Sequence, residues 1–377
     1  MAQLGVDQPA PIRPGEELDV DKLQSFLRKE LKQSSSRLVI EQFPSGFSNL
    51  TYCLTFGSQE LVLRRPPFGN KVKSAHDMQR EYQVLSQLAD VYQPAPRPKA
   101  YSDDLDILGA EFYLMERRHG IILRGPQAPA ALASDPALTR QLCQSFIDNL
   151  ADLHLLDYQA AGLGELGRPE GYIGRQVEGW SGRYQAASSD DWPQMDELSA
   201  WLQLNQPTDG PAGLIHNDYK YDNLMLAADD LTRIVALLDW EMATLGDPLM
   251  DLGTTLAYWV QPHDPADQLK RAFGPTMVEG SLTRRELIDR YADRTQRDLP
   301  DMTFYFAYGL FKLAVIIQHR LRRVDSCSER QPDVQIPTLC HVLACVLDAR
   351  RTRGEWCCCP GQKGGEDRGA TGCRLCG

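Results

Sequence analysis

His216-Asn217-Asp218-Tyr219-Lys220-Tyr221-Asp222-Asn223, followed by an apolar run at 234–238 and then Asp239-Trp240-Glu241, is the stretch on which the fold turns. Phosphoryl transfer needs one carboxylate to orient or deprotonate an attacking hydroxyl. It also needs an amide oxygen and a second carboxylate to hold magnesium on the phosphates. The spacing predicts Asp218 as the base, with Asn223 and Asp239 as the metal ligands. Between those ligands, residues 224–226 are apolar, Asp229-Asp230 is turn-forming, and 234–238 is β-branched and aliphatic. That is a hairpin pattern, which brings both ligands to one end.

The same spacing also arises where Asp218 and Asn223 merely cap a turn. Asp239 argues for the functional arrangement, because a carboxylate closing a buried-type run needs a cation or a loop amide to offset desolvation. Gly246-Asp247-Pro248-Leu249-Met250-Asp251-Leu252 follows at once.

On these residues the chain resembles the aminoglycoside phosphotransferase/choline kinase superfamily, small-molecule relatives of the protein kinases. The string Leu238-Asp239-Trp240-Glu241-Met242-Ala243-Thr244-Leu245-Gly246-Asp247-Pro248 is most similar to the kinase-like domain of acyl-CoA dehydrogenase family members 10 and 11, and to free-standing bacterial counterparts. The resemblance implies an α+β, two-lobed, protein-kinase-like fold. A small antiparallel sheet would form the N-lobe at 1–117, and a larger, mostly helical C-lobe would occupy 118–352. By the same resemblance Glu241 takes the position of a kinase glycine, and Asp251 is a structural support that hydrogen-bonds the catalytic-loop backbone. Asn217 stands where many relatives carry glycine, and asparagine tolerates left-handed backbone better than most residues.

Upstream, Leu23, Phe26, Leu27 and Leu31 form one stripe of an amphipathic helix, and β-like runs follow at 37–43, 50–56 and 60–65. The turn Pro44-Ser45-Gly46-Phe47-Ser48-Asn49 offers amides and hydroxyls to phosphates, with Ser48 and Asn49 as nucleotide-binding candidates. A hairpin turn calls for the same residue types. Val62-Leu63-Arg64 occupies the place of the kinase strand whose basic residue grips the α- and β-phosphates, with Glu81 as its partner. An ordinary surface ion pair is the alternative, worth roughly 0–1 kcal/mol. Arg65 points to the opposite strand face and is expected at the surface. The resemblance makes the strand at 111–116 and Arg117-Arg118 the hinge, where the backbones of Glu116 and Arg118 would hydrogen-bond adenine.

Between hinge and tail the chain reads as helical. Residues 138–156 have helical spacing, and His154 on that helix is expected to be structural, since Asp218 already fills the base role. Within 171–184, Arg175, Trp180, Arg183 and Tyr184 form a candidate acceptor-binding set, guanidinium for phosphate and ring for adenine. A helix with packed aromatics and solvated arginines fits those residues equally well. Further helices are expected at 284–296, 301–323 and 334–351. Tyr305, Tyr308, Phe311 and Lys312 lie on one stripe, where core packing and a pocket border fit equally well.

The 377 residues are 42% hydrophobic, enough for two packed lobes. A formal net charge of −11 disfavours nucleic-acid and anionic-membrane partners. No apolar run approaches the ~18–20 residues of a membrane span, and 1–14 has no apolar core of a targeting segment. A cytoplasmic protein is therefore expected. Residues 353–377 carry Cys357, Cys358, Cys359, Cys373 and Cys376 among glycines. Three adjacent cysteines suit zinc poorly, so this segment is expected to be a disordered tail.

These readings converge on an ATP- and Mg2+-dependent kinase of a small-molecule hydroxyl. The resemblance points to a hydroxyacyl chain carried on coenzyme A, with a separate acyl-CoA dehydrogenase as functional partner. An amino-alcohol, sugar or aminoglycoside kinase is the second reading, and a catalytically silent nucleotide-binding scaffold the third. Intact Asp218, Asn223 and Asp239 argue against the third. Nothing in the sequence specifies an oligomeric state.

Overall fold

The computed structural model describes residues 7–32, 37–44, 49–68, 77–187, 192–264, 269 and 272–325. The tail, the helix expected at 334–351, and Ser48 lie outside the described residues. Helix α1 (Val20–Glu30) starts where the Asp19 side chain accepts from Lys22 N at 3.1 Å, and it buries Leu23 and Leu27. Strands β1 (Leu38–Gln42), β2 (Leu50–Phe56), β3 (Gln59–Arg65), β4 (Pro98–Ser102) and β5 (Phe112–Glu116) form an antiparallel sheet in the order β1-β2-β3-β5-β4. Helix α2 (Met78–Leu88), capped by Asp77, packs on one face, while α1 and the short α3 (Leu105–Leu108) cover the other.

Strand alternation sorts β3 between those layers. Leu61 and Leu63 join the α1 cluster, and Val62 joins the α2 side. Arg64 therefore shares the α2 face, and Arg65 shares the α1 face. The expectation that Arg65 is a surface residue is wrong: it is 2% exposed, because α1 and α3 close over that side. Its guanidinium donates to Leu108 O at 3.0 Å and Pro66 O at 3.1 Å, and lies 3.7 Å from the Phe68 ring centroid.

Beyond β5 come β6 (Ile121–Ile122), α4 (Ala130–Ala133), α5 (Pro136–His154), α6 (Tyr172–Ala187), α7 (Pro193–Leu204) and β7 (Gly213–Ile215). Next are β8 (Leu224–Leu226), β9 (Ile234–Leu237), β10 (Thr244–Gly246), α8 (Pro248–Tyr258), α9 (Arg284–Thr295) and α10 (Thr303–Asp325). The expected hairpin is β8–β9, with Leu224 opposite Leu237 and Leu238 N donating to Asn223 O at 2.8 Å. Asn223 and Asp239 thus flank one end of it. Helices α8 and α10 cross closely at Gly253 and Gly309. A Cβ on Gly253 would stand 2.2 Å from Tyr305 O, and one on Gly309 2.4 Å from Gly253 O, so neither position admits a larger residue without displacing the helices. That crossing carries α10 directly under the segment containing Asp218.

Candidate active site

Alternation along 216–223 divides the loop between core and cleft. Tyr219 and Tyr221 are buried, with ring centroids 4.8 and 4.7 Å from that of Phe146, and Tyr219 donates its hydroxyl to Phe146 O at 2.7 Å. Asp218 and Lys220 keep side-chain exposures of 16% and 14%. The loop entry is fixed by Asp251, which is fully buried on α8. Its two oxygens accept from His216 N at 2.7 Å and Asn217 N at 2.9 Å, and His154 Nε2 lies 3.2 Å away. Burial opposes ionisation of Asp251, but the bond from His154 and the other donors outweigh it and hold the carboxyl below its usual range. His154 in turn meets Tyr291 Oη through Nδ1 at 2.8 Å, a satisfied buried histidine of structural type.

Asn217 has φ 66°, the left-handed conformation that asparagine tolerates. Its side chain is engaged at both ends, accepting from Tyr172 Oη at 3.1 Å and donating to Met242 O at 3.1 Å. His216 places Nε2 3.0 Å from Leu238 O and Nδ1 3.3 Å from Asp218 N, partners that assign the neutral Nε2–H tautomer. Burial pushes its pKa down, which keeps it neutral.

The Asp218 carboxylate is held on every side. Lys220 Nζ lies 2.6 Å from Oδ1 and 2.5 Å from Oδ2; Tyr258 Oη donates to Oδ1 at 2.8 Å; Asn223 Nδ2 donates to Oδ2 at 2.8 Å and to Asp218 O at 2.8 Å. Sequence reasoning singled out neither Lys220 nor Tyr258. Lys220 stands inside the deciding octapeptide, two residues after Asp218, where β-type alternation puts both on one face. Tyr258 ends a helix whose last turn is otherwise apolar, Leu256-Ala257, and carries no sequence signal of a polar role.

Arg64 reaches the same end of the hairpin from β3. Its Nη1 lies 3.3 Å from Glu81 Oε1, and its Nη2 donates to Asp239 Oδ1 at 2.8 Å. Glu81 also accepts from Trp240 N at 3.2 Å. Burial disfavours charge on Arg64, yet Glu81 and Asp239 drive its pKa well above the ordinary arginine value. Asp239 is likewise opposed by burial but held down by Arg64, whereas burial of Glu81 wins and raises its carboxyl. Asp239 has φ 70°, a left-handed turn that breaks β9 and leaves its side chain 30% exposed. Asn49, 2% exposed at the start of β2, donates to Glu241 Oε2 at 2.9 Å, tying the β1–β2 turn to the segment after Asp239.

At the hinge the Glu116 amide is used by Arg97 O at 2.8 Å, and its carboxylate pairs with Arg118 at 2.7 Å. The Arg118 amide makes no such backbone bond among the described residues. The four acceptor candidates separate. Arg175 is exposed but donates to the carbonyls of Glu170 and Arg168, and Tyr184 is buried, its ring 6.0 Å from that of Phe311. Trp180 is 8% exposed with the Arg183 guanidinium 4.5 Å over its ring.

Among the described residues no three His, Cys, Asp or Glu side chains come together as a metal site. Asn223 spends its Nδ2 on Asp218, which leaves its amide oxygen for a cation, and Asp239 offers the oxygen not bonded to Arg64. One amide oxygen and one carboxylate suit a hard cation that keeps most of its oxygen ligands from phosphates and water, as Mg2+ does. They do not suit zinc.

The profile of the Phosphotransferase enzyme family matches residues 39–287, and the chain belongs to that family of small-molecule phosphotransferases acting on hydroxyl groups. It is 36% identical over 314 residues to acyl-CoA dehydrogenase family member 11 of Rattus norvegicus, a match covering 81% of this chain and 40% of that protein. The chain thus spans well under half the length of that relative. A Ralstonia eutropha protein provisionally described as an aminoglycoside phosphotransferase superimposes with TM-score 0.72 at 29% identity, over 89% of this chain and 96% of the other. A thermostable mutant of the aminoglycoside phosphotransferase APH(4)-Ia, in ternary complex with ADP and hygromycin B, shares the fold at TM-score 0.55 and 15% identity, over 89% of this chain and all of that one. The kinase-like, two-lobed α+β architecture is therefore established. No helix among the described residues is long and apolar enough to cross a membrane.

Proposed function

We propose that the protein transfers the γ-phosphoryl group of ATP to the hydroxyl of an acyl chain carried on coenzyme A. The observation that carries the reading is the convergence of Asp218, Asn223, Asp239 and Arg64 at the end of the β8–β9 hairpin, with Arg64 and Asp239 2.8 Å apart. ATP would lie between the lobes, with the Glu116–Arg118 backbone to hold its adenine and Asn49 to meet its phosphates; Ser48, the other phosphate candidate, lies outside the described residues. Arg64, held by Glu81, neutralises phosphate charge. Asn223 and Asp239 hold Mg2+, which when bound neutralises charge developing on the phosphates. Asp218 aligns the acceptor hydroxyl and takes its proton as a new oxygen–phosphorus bond forms and the bond from the γ-phosphorus to the bridging oxygen breaks, releasing ADP. Lys220 offsets negative charge between the carboxylate and the incoming phosphate. Catalysis is then positioning and charge stabilisation, with no covalent enzyme intermediate.

The acceptor assignment rests on charge and on the dehydrogenase relative. Lys220 and Lys312 both act on Asp218, and Arg183 lies over Trp180 near Lys312, cationic groups that suit a phosphate-bearing acceptor. Arg183, exposed and stacked on the buried Trp180 ring, brings a guanidinium suited to the phosphates of a nucleotide-bearing acceptor. A separate acyl-CoA dehydrogenase then fits as the downstream partner. The test compares kcat/KM for one hydroxyacyl-CoA, its free acid, choline and an aminoglycoside. A thioester strongly preferred over its free acid, with the gap narrowed by Arg183→Ala, is expected, since remote binding energy would position the hydroxyl. Equal rates for thioester and free acid would sink the coenzyme A assignment and leave the phosphotransferase chemistry standing.

A further inference from the structure

Lys312 lies on α10 with 2% exposure, and its Nζ donates to Asn217 O at 2.7 Å. That carbonyl belongs to the peptide joining Asn217 to Asp218, whose N–H meets His216 Nδ1 at 3.3 Å. A peptide unit is planar. Gripping its oxygen on one edge and its N–H on the other fixes the plane, and the direction in which Asp218 leaves the backbone follows from it. The Gly253–Gly309 crossing lets α10 come close enough for a side chain one turn further along to reach that oxygen.

The arrangement makes little sense as a stabilising device. A carbonyl can be satisfied by a neutral donor, whereas desolvating an ammonium is unfavourable unless it is well paired. The charged groups bearing on Lys312 are Asp218 and Asp251, which favour its charge, and Lys220 and Arg183, which oppose it; the Trp180 ring centroid is 5.8 Å away. Burial prevails and lowers its pKa to about 8. Its ammonium is thus kept at a site that burial makes unfavourable for charge.

We infer that Lys312 is a positioning residue for phosphoryl transfer: its ammonium fixes the Asn217–Asp218 peptide and so aims the Asp218 carboxylate at the acceptor hydroxyl. This rests on the reading of Asp218 as the base. The stripe of Lys312 fits core packing and a pocket border equally well by sequence, and its bond to Asn217 O is visible only in the structure.

The test uses the full chain with Lys312→Met, Lys312→Gln, Asp218→Asn, and Lys312→Met combined with Asp218→Asn. Activity is followed as label transfer from γ-labelled ATP to hydroxybutyryl-CoA, or to water if that thioester is not phosphorylated. Lys312→Met should lower kcat on the order of 10²-fold, the usual effect of a misplacement near 1 Å. KM for ATP should hold within about twofold and Tm should stay level or rise, because a buried charge is removed with the hydrogen bond. Lys312→Gln, a neutral donor, should recover part of the loss. In the Asp218→Asn background Lys312→Met should have little further effect, since the two residues act as one unit. An unchanged kcat in Lys312→Met, or a kcat loss matched by a falling Tm and weaker ATP binding, or full additivity with Asp218→Asn, overturns the inference. Full activity of Asp218→Asn itself would instead refute the assignment of the base.

Discussion

Lys220 Nζ stands 2.6 Å and 2.5 Å from the two oxygens of Asp218, so the carboxylate two residues upstream is chelated by a single ammonium. Tyr258 and Asn223 take one further site on each oxygen. A carboxylate has about four lone-pair sites, and all of these are engaged. On the proposed reading, an acceptor hydroxyl would reach Asp218 by replacing one of those donors. Donors on both oxygens fix the direction of the carboxylate, which suits the proposed role of positioning a hydroxyl for a loose transition state.

Replacing Lys220 with methionine leaves the cleft shape nearly intact and removes that ammonium. We expect kcat to fall on the order of 10²–10³-fold, the effect of losing one preorganised charged donor, with nucleotide affinity changed much less. Steady-state kinetics paired with calorimetric titration of ATP checks this; kcat within twofold of wild type would exclude a catalytic role for Lys220.

Arg64→Lys tests the bridge between Glu81 and Asp239. A lysine ammonium is a point charge and lacks the planar fork that reaches both carboxylates. Losing one charged hydrogen bond of about 1.5–3 kcal/mol should raise KM for ATP roughly ten- to hundredfold. Retention of wild-type KM would mean that Arg64 does not engage the phosphates.

Asp251 carries a pH signature. Its carboxyl is depressed in the fold, so its contribution to stability is fully present above the unfolded carboxylate value near 4 and is lost as pH falls through the lower folded value. Asp251→Asn should cost about 3–5 kcal/mol at neutral pH, as for breaking a buried charged network, and should flatten the loss of Tm on acidification below about pH 4. Thermal melts of both proteins from neutral to acid pH would show it. Parallel curves would assign the acid sensitivity elsewhere.

The hairpin between the predicted metal ligands, the α1 stripe, strands β1 to β3, and helices α5 and α9 were all legible, because their periodicity is long or their turn residues explicit. Strand β4 was not: Pro98 and Lys99 interrupt a run of only five residues. The two-residue β6 carries no pattern at all. In the site, Asp218, Asn223 and Asp239 stood out by spacing, and Arg64 with Glu81 by order in the chain. Arg65, Lys312 and Tyr258 were hidden for one reason. Alternation and helical stripes show which face a residue takes, but whether that face is covered, and by which polar group, is decided by segments distant in sequence. Arg65 is covered by α1 and α3, and Lys312 meets Asn217 only because two glycines let α8 and α10 approach.

Phosphoryl transfer directed by Asp218 is tested by label transfer from γ-labelled ATP to hydroxyl acceptors, compared between wild type and Asp218→Asn. Wild type should label an acceptor in a magnesium-dependent way, and Asp218→Asn should be slower by on the order of 10²–10⁴, with magnesium-ATP binding nearly unchanged in calorimetry. Equal labelling by the two proteins would contradict it.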